Sequence, residues 1–576
     1  MVEQEITIKI NGREIKATPD QTIGEVAWHS GIKIPTLCFH PDLKIKASCR
    51  ICVVEIKGRE GLFTSCSTLV EDGMDILTES EAVKAARVVN LELLFAQHQE
   101  ECGDCVISHN CTLLRLAKEH DIKIEHYVDR KTDFPVYKFG PAIEFNSSKC
   151  IDCGNCTEVC AMQGVDFLET KKGEDNLPVV GPTSDKTKDC IYCGQCVTHC
   201  PVGAFEAVGE FEEVEEPLAD KGKTVVFQFA PACRTAIGEE FGLPYGPELE
   251  GKLIAAIRKL GANFVFDVSV GADFTTFEES DECVACVKEG GSKLPVLTSC
   301  CPAWVKYIEF NYPQYVGHLA TARSPHIILG GLIKTYWAQK QGLKPEQISV
   351  VSVMPCTAKK YEIRRPELKI DGWMPVDYVL TTRELAFLFR RHGIDLGALA
   401  EEKCDNPFGE YSGAGVIYGA SGGVMESAIR TAYYKMTGSE LPGVDFEQVR
   451  GMEGIKKAEV VLPGNKKVKI AVVAGNGNAK KVLDELAKNP HAYDYIEVMS
   501  CPGGCIGGGG QPLPATAGIR AQRAQVLYGL DRGKGIRAAH QNPIIQNMYA
   551  DFLKDDEFRR KITQTRFGKK EREFKG

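Results

Sequence analysis

At 576 residues, with 43% hydrophobic and 26% charged residues, the chain is too long for one hydrophobic core and reads as a globular protein of three to five domains. A formal net charge of −9 denies it the broad cationic face that a general nucleic-acid binder turns to phosphate. No apolar run reaches bilayer length, and the opening MVEQEITIKINGREIK alternates like a strand rather than like a signal peptide, so no membrane association and a cytoplasmic location are expected.

In chain order, residues 1–78 alternate as short strands around a small helix (TIGEVAWHSG). Residues 79–125 are predicted helical, with Val83, Val88, Leu91, Leu94 and Phe95 at near-helical spacing. Residues 140–208 hold two near-identical cysteine runs, an internal repeat. An acidic, proline-bearing stretch (FEEVEEPLAD) reads as a linker. From 221 to 576 strands and helices alternate. VVFQFAP, FVFDVSV, ISVVSVMPC and KIAVVAGNG are apolar runs followed by helical or turn segments, the pattern of α/β layers with parallel strands.

The chain carries 24 cysteines. In a reducing compartment, tight cysteine spacing points to metal ligands rather than disulfides. CIDCGNCTEVC (Cys150, Cys153, Cys156, Cys160) and CIYCGQCVTHCP (Cys190, Cys193, Cys196, Cys200) each read C-x2-C-x2-C-x3-C. Three thiolates at this spacing wrap one 4Fe–4S cube, and the fourth is carried away to the other. Cys150, Cys153 and Cys156 therefore pair with Cys200, and Cys190, Cys193 and Cys196 with Cys160. Ala161 stands where proline is usual, without altering the spacing. Zinc sites use pairs of C-x-x-C instead.

Cys38, Cys49, Cys52 and Cys66 lack the plant-type ferredoxin spacing, and by spacing alone zinc remains an alternative there. The set resembles the 2Fe–2S domain that opens iron-only (FeFe) hydrogenases and a large peripheral subunit of complex I. HQEECGDCVISHNC offers His98, Cys102, Cys105 and Cys111 in an H-x3-C-x2-C-x5-C arrangement that resembles the same two families. An imidazole ligand would raise that cluster's potential relative to four thiolates.

LTSCCPAW (Cys300, Cys301), VMPCTAKKYE (Cys356) and EVMSCPGGCIGGGGQP (Cys501, Cys505) resemble the catalytic-domain signatures of the iron-only hydrogenases, in order and interval. The likeness runs on through GEYSGAGVIYGASGGVME and Arg323–Pro325. It implies a β-grasp ferredoxin-like domain, a small helical cluster domain, a bacterial ferredoxin-like domain and an α/β catalytic domain, over residues 1–78, 79–125, 140–208 and 221–576. It also implies one 2Fe–2S and three 4Fe–4S accessory clusters. The H-cluster, a 4Fe–4S cube bridged to a two-iron unit bearing carbonyl, cyanide and a dithiolate, would be held by Cys301, Cys356, Cys501 and Cys505, with Cys505 bridging. Soft sulfur donors suit a low-valent iron centre. Gly507–Gly510 would let backbone pass close to a bulky inorganic group. Lys359 would donate to a cyanide, while Ala230, Pro231 and Pro325 line the pocket, and Met354 and Met499 pack softly against it.

Five cysteines remain, namely Cys233, Cys283, Cys286, Cys300 and Cys404. The resemblance assigns Cys300 to proton delivery, a task that suits a thiol. Cys283 and Cys286 read as core thiols, with a redox role the alternative. Glu279 and Glu282 match the acids of the family's proton path and share a helical face. Ala320 and Cys286 stand where that path has a serine and an arginine, and His326 where a glutamine is expected. Thr321 or a water could fill the gap.

The implied activity is reversible oxidation of dihydrogen to protons and electrons. The electrons would pass to ferredoxin or to a flavin- and NAD-binding partner subunit, because no nucleotide motif beyond the weak VVAGNGNAKKV is present. A non-catalytic assembly factor or sensor, or a complex I-like electron carrier, are the competing readings. Cys300, TSCCPAW and SCPGGC favour catalysis over both. The basic tail GKKEREFKG is expected to be solvated. Oligomeric state stays open.

Overall fold

Ile6, Ile8 and Ile10, at every second position, turn one face of the strand Ile6–Ile10 into a core. The computed structural model describes residues 5–128, 131, 134–172, 178–289, 294–405, 407–462 and 466–575. That first strand is antiparallel to Arg13–Ala17 and parallel to Asp75–Leu77, and Val53–Ile56 and Leu62–Thr64 complete a mixed five-stranded sheet. The helix Ile23–His29 begins at a reciprocal Thr22–Glu25 cap and adds Ile23 and Val26 to the same core. This is the expected β-grasp.

The helices Glu81–Phe95 and Thr112–Glu119 follow. Val83, Leu91 and Phe95 are buried as the spacing predicts, whereas Val88 and Leu94 are half-buried. Arg87 is buried too, donating to the carbonyls of Ile51 and Thr78, which seats this helix on the β-grasp sheet. In the next unit a three-stranded antiparallel sheet, Phe205–Ala207, Ile143–Asn146 and Val136–Phe139, lies beside a hairpin of Leu168–Lys172 and Pro178–Pro182. Each cysteine run turns at a left-handed glycine, Gly154 or Gly194, and opens a helix, Asn155–Met162 or Gln195–Thr198.

The acidic stretch expected to link domains is instead the helix Phe211–Ala219. Val214 and Pro217 bury against the catalytic domain, and Glu210 just before it pairs with Arg364 and Lys360.

The C-terminal half contains two four-stranded sheets. The first, Phe264–Asp267, Thr224–Phe229, Ile348–Met354 and Tyr378–Thr381, is wholly parallel as expected. The second, Val296–Leu297, Tyr495–Met499, Lys466–Ala474 and Ile455–Leu462, is parallel except for its last pair, an antiparallel hairpin at the edge. The helix Ser269–Glu289 joins both cores, since Val270 and Phe274 pack with the first sheet and Cys283 and Cys286 with the second. Among the described residues, no helix is long and apolar enough to cross a membrane.

Candidate active site and its cluster-binding relay

Parallel strands aim their carboxyl ends at one region, where ligands of α/β proteins usually bind. Ala230 and Pro231 follow Thr224–Phe229, Cys300 and Cys301 follow Val296–Leu297, Cys356 follows Ile348–Met354, and Cys501 and Cys505 follow Tyr495–Met499. All of these line one cavity, together with Pro325, Met354, Met499, Lys359, His326 and Tyr418. Its wall is almost entirely apolar carbon and sulfur. Burial pushes the Cys356 thiol up to about 12 and raises those of Cys300, Cys501 and Cys505 as well. Cys301, Cys356, Cys501 and Cys505, with the Cys300 thiol and one ammonium beside them, form a donor set that a soft metal centre would deprotonate and occupy. The donors therefore fit an iron–sulfur group.

Lys359 donates to the Cys300 carbonyl at 3.1 Å and to Glu362 Oε2 at 2.7 Å. Burial opposes its charge, but Glu362 and the Cys356 and Cys300 thiols keep it protonated. His326 Nε2 meets the same Glu362 oxygen at 2.7 Å, and its Nδ1 meets Ser352 at 3.1 Å. Burial and Lys359 lower the imidazole to about 4, so it is neutral. Glu362 closes the stretch VMPCTAKKYE, whose cysteine and lysine alone are singled out by resemblance. Its only sequence signal is its place three residues after Lys359, on the same helical face.

Glu279 is buried, with Oε2 accepting from the Tyr495 hydroxyl at 3.0 Å. Burial pushes its carboxyl up to about 8, against the pull of Tyr495. Glu282 Oε2 accepts from the Thr321 amide at 2.9 Å and from the Thr321 hydroxyl at 3.4 Å, so Thr321 faces the acid. Cys283 and Cys286 sit in the second sheet's core, as core thiols would. Cys233 and Cys404 donate to the carbonyls of Val353 and Val265.

The run Gly507–Gly510 packs closely on protein backbone, and Gly508 also lines the cavity. A Cβ on Gly508 would lie 2.0 Å from the Pro355 carbonyl, and one on Gly509 would lie 2.6 Å from Gly194 Cα. Glycine is needed here to seat the second cysteine run against the catalytic loop. Gln195 donates to the Gly507 carbonyl, Thr357 to that of Tyr192, and the Cys501 thiol lies 3.9 Å from the Cys193 carbonyl.

The remaining thiols gather in sets. Cys156 feels Cys150, Cys153, Cys200 and Cys160, and Cys196 feels Cys190, Cys193, Cys156 and Cys160, so the eight thiols of the two runs lie together. Cys38 is coupled to Cys49 and Cys52 to Cys66, with Cys66 also within electrostatic reach of Cys38 and Cys49. His98 Nδ1 lies 2.8 Å from the Lys149 carbonyl, so its proton sits there and the Nε2 lone pair is left for a metal. Burial keeps this imidazole neutral, and burial pushes the Cys105 thiol up to about 12. Cys111 feels Cys102 and Cys200, Cys153 feels Cys38, and Cys193 feels Cys301 and Cys356. The thiol sets thus form a branched line leading to the cavity.

VVAGNGNAKKV is a strand–turn–helix junction, as its sequence suggests. The helix Asn476–Lys488 starts against the dicluster unit, where the Gln163 side chain accepts from the Asn476 amide at 2.9 Å. The tail is solvated only in part: Lys569, Glu571 and Lys575 are exposed, while Arg572, Glu573 and Phe574 are anchored. Arg572 donates to Thr183 and Asp185, Phe574 packs on Phe139 and Phe167, and Glu573 accepts from Tyr192, Tyr361 and Lys306.

A branched set of cysteine clusters ending at a buried four-thiol cavity defines an iron–sulfur oxidoreductase. The comparisons identify its kind. Residues 223–509 match the family described as iron only hydrogenase large subunit, C-terminal domain, and residues 517–560 match the iron hydrogenase small subunit. Residues 3–81 match a 2Fe-2S iron-sulfur cluster binding domain and 149–204 a 4Fe-4S dicluster domain. NADP-reducing hydrogenase subunit HndD of Solidesulfovibrio fructosivorans is 42% identical, over 95% of this chain and 96% of that protein. Iron hydrogenase 1 of Clostridium pasteurianum is 37% identical over the same shares. The apo FeFe-hydrogenase HydA1 from Chlamydomonas reinhardtii, in a variant form, superposes with a TM-score of 0.56 at 36% identity, over 62% of this chain and 98% of that one. The chain belongs to the iron-only hydrogenase family, and it is an enzyme of the FeFe type.

Proposed function

We propose that the chain catalyses the reversible oxidation of dihydrogen and exchanges the electrons with a ferredoxin or with a flavin- and NAD-binding partner subunit, as in an electron-bifurcating complex. The carrying observation is the convergence of Cys301, Cys356, Cys501 and Cys505 in one cavity with the Cys300 thiol beside them. These four would hold an H-cluster, with Cys505 bridging. Cys38, Cys49, Cys52 and Cys66 would hold one 2Fe–2S cluster. His98 with Cys102, Cys105 and Cys111, and the two crossed sets, would hold three 4Fe–4S clusters. When bound, the H-cluster supplies the heterolytic cleavage of dihydrogen.

The protein's part is orientation and proton traffic. Lys359, fixed by Glu362, presents a permanent charge to the cavity, and the apolar wall excludes water. Cys300 passes the proton between the cavity and Glu279, and Glu282 with Thr321 continues outward. Electrons travel the thiol sets from the N-terminal half, through Cys193's set, to the cavity. A partner subunit fits this division of labour, and HndD is itself named as a subunit. The thiol-rich chain suits the reducing cytoplasm.

The test is hydrogen uptake by protein matured with its two-iron unit, offered ferredoxin, viologen or NAD. Uptake with infrared bands of iron-bound carbon monoxide and cyanide is expected, and Cys300→Ala should keep the bands while losing more than nine-tenths of turnover. Matured protein without those bands, or an active Cys300→Ala, refutes the reading. Cytosolic iron-sulfur assembly component 3 of Mus musculus, 30% identical over 65% of this chain, represents the non-catalytic alternative. An absence of uptake with every acceptor would favour it.

A further inference from the structure

The acid in the path that faces Cys300 is anchored by a group that the sequence reading did not single out. Glu279, on the helix Ser269–Glu289, is fully buried, with one carboxylate oxygen 3.0 Å from the Tyr495 hydroxyl. Its other oxygen, Oε1, is buried without a hydrogen-bond partner among the described residues. Buried carboxylate oxygens are normally satisfied, so a bare one within electrostatic reach of the buried Cys300 thiol is open to proton exchange. The groups within reach of Glu279 are Tyr495, Glu282, Glu497, Cys300, Tyr418 and Cys283, with the Ser299 amide close enough to lower its carboxyl. Tyr495 alone of these side chains is shown donating to it.

The position of Tyr495 matters as much as its bond. Val296 pairs with Tyr495 on one edge of the two-residue strand Val296–Leu297, and Leu297 bridges to Leu319 on the other edge, next to Ala320. Ala320 and Tyr495 thus flank the same short strand and share one core. The methyl of Ala320 offers no hydroxyl from its side; Tyr495 brings one from the opposite side.

We propose that Tyr495 is a positioning residue of this chain's proton path, pinning Glu279 Oε2 so that Oε1 is the oxygen that exchanges the proton with the Cys300 thiol. The inference rests on the path assigned to Cys300 and Glu279. The proton moves from sulfur to Oε1 and back, with the phenol keeping its own. Burial raises that phenol well above its usual range, so it remains a donor at every working pH.

The test uses the matured holoenzyme. Tyr495→Phe removes one oxygen and is expected to lower turnover in both directions about tenfold, the worth of one buried hydrogen bond. The solvent isotope effect should rise, while iron content, the carbon monoxide and cyanide bands and KM for the electron carrier stay as in the parent. Adding Ala320→Ser, which returns a hydroxyl from the other edge of the strand, should restore part of the loss. Tyr495→Phe with parental turnover and isotope effect overturns the proposal. So does a loss of turnover without a change in isotope effect, a loss that Ala320→Ser does not relieve, or a loss of iron, each of which assigns the phenol to packing. Glu279→Gln separates this inference from the path itself. If Glu279→Gln is inactive and Tyr495→Phe is not, only the positioning role falls, whereas an active Glu279→Gln removes the path and the role together.

Discussion

At the residue scale, the cavity is governed by where three buried charges can reside. Glu279 holds its proton up to about pH 8, because burial disfavours its charged form more than Tyr495 favours it. Below that pH it is a loaded donor, and above it an empty acceptor. Dihydrogen evolution should therefore fall through a limb near pH 8 while oxidation gains, and this limb should vanish from the residual activity of Glu279→Gln. Matched pH profiles in the two directions check it. Glu362 has the opposite character: although burial opposes its charge, Lys359 and His326 lower its carboxyl to about 2. Glu362→Ala leaves the buried Lys359 ammonium without its carboxylate. The expected cost is about 3–5 kcal/mol, with a fall in infrared-detected cofactor occupancy; normal occupancy and an unchanged denaturation midpoint would contradict it. Glu362 stands three residues from Lys359 and that pair is readable from spacing, whereas the partner of Glu279 is not. Cluster ligands are legible because one inorganic group imposes fixed intervals on one loop, as in Cys150 to Cys160. Tyr495 meets Glu279 across 216 residues, a contact that only the folded sheet creates.

At the element scale, the same contrast separates what the pattern shows from what packing decides. The parallel strands were legible because residues such as Ile348–Met354 are buried on both faces and so read as continuous apolar runs. FEEVEEPLAD misleads because proline and four glutamates are linker signals, while the two residues that fasten it, Val214 and Pro217, are a minority of its length. GGGG in the SCPGGC motif is similar: its composition announces close approach, but not what approaches. Gly509 is the decisive position, since an added Cβ would meet backbone, Gly194 Cα at 2.6 Å and the Cys193 carbonyl at 2.7 Å, and neither can rotate away. Gly509→Ala should push the second cysteine run off the catalytic loop, costing about 1–3 kcal/mol. Electron exchange with an external carrier should slow by more than exchange of isotopes between H2 and D2O, which needs no electron from outside. Equal slowing of both reactions would show that the contact serves only the cavity's shape.

At the scale of the whole molecule, the last residues of the chain close the structure across its two halves. Lys306 of the catalytic domain is fully buried, 3.1 Å from Asp189 beside the second cysteine run and 2.6 Å from Glu573 of the tail. Glu573 also accepts from Tyr192 of the ferredoxin-like unit and Tyr361 of the catalytic domain, and its amide donates to Asp189. A basic sequence with no apolar run could not announce this, because its anchors include one acid and one aromatic ring whose partners lie far back in the chain, Tyr192 381 residues before Glu573. Removing residues 569–576 would leave Lys306 with Asp189 alone and strip Phe574 from Phe139 and Phe167. Lys306 keeps one carboxylate, so the loss should fall well short of that for a wholly broken buried pair, about 1–2 kcal/mol. The functional effect should be selective. The cavity and its proton groups do not touch the tail, so isotope exchange should persist near the parental rate. The second cysteine run would lose a clamp on the side away from Gly509, so carrier-dependent uptake should fall several-fold, and protease should cut more readily between residues 208 and 221. If exchange and uptake fell together, or if neither fell, the tail would be no part of the electronic contact between the halves.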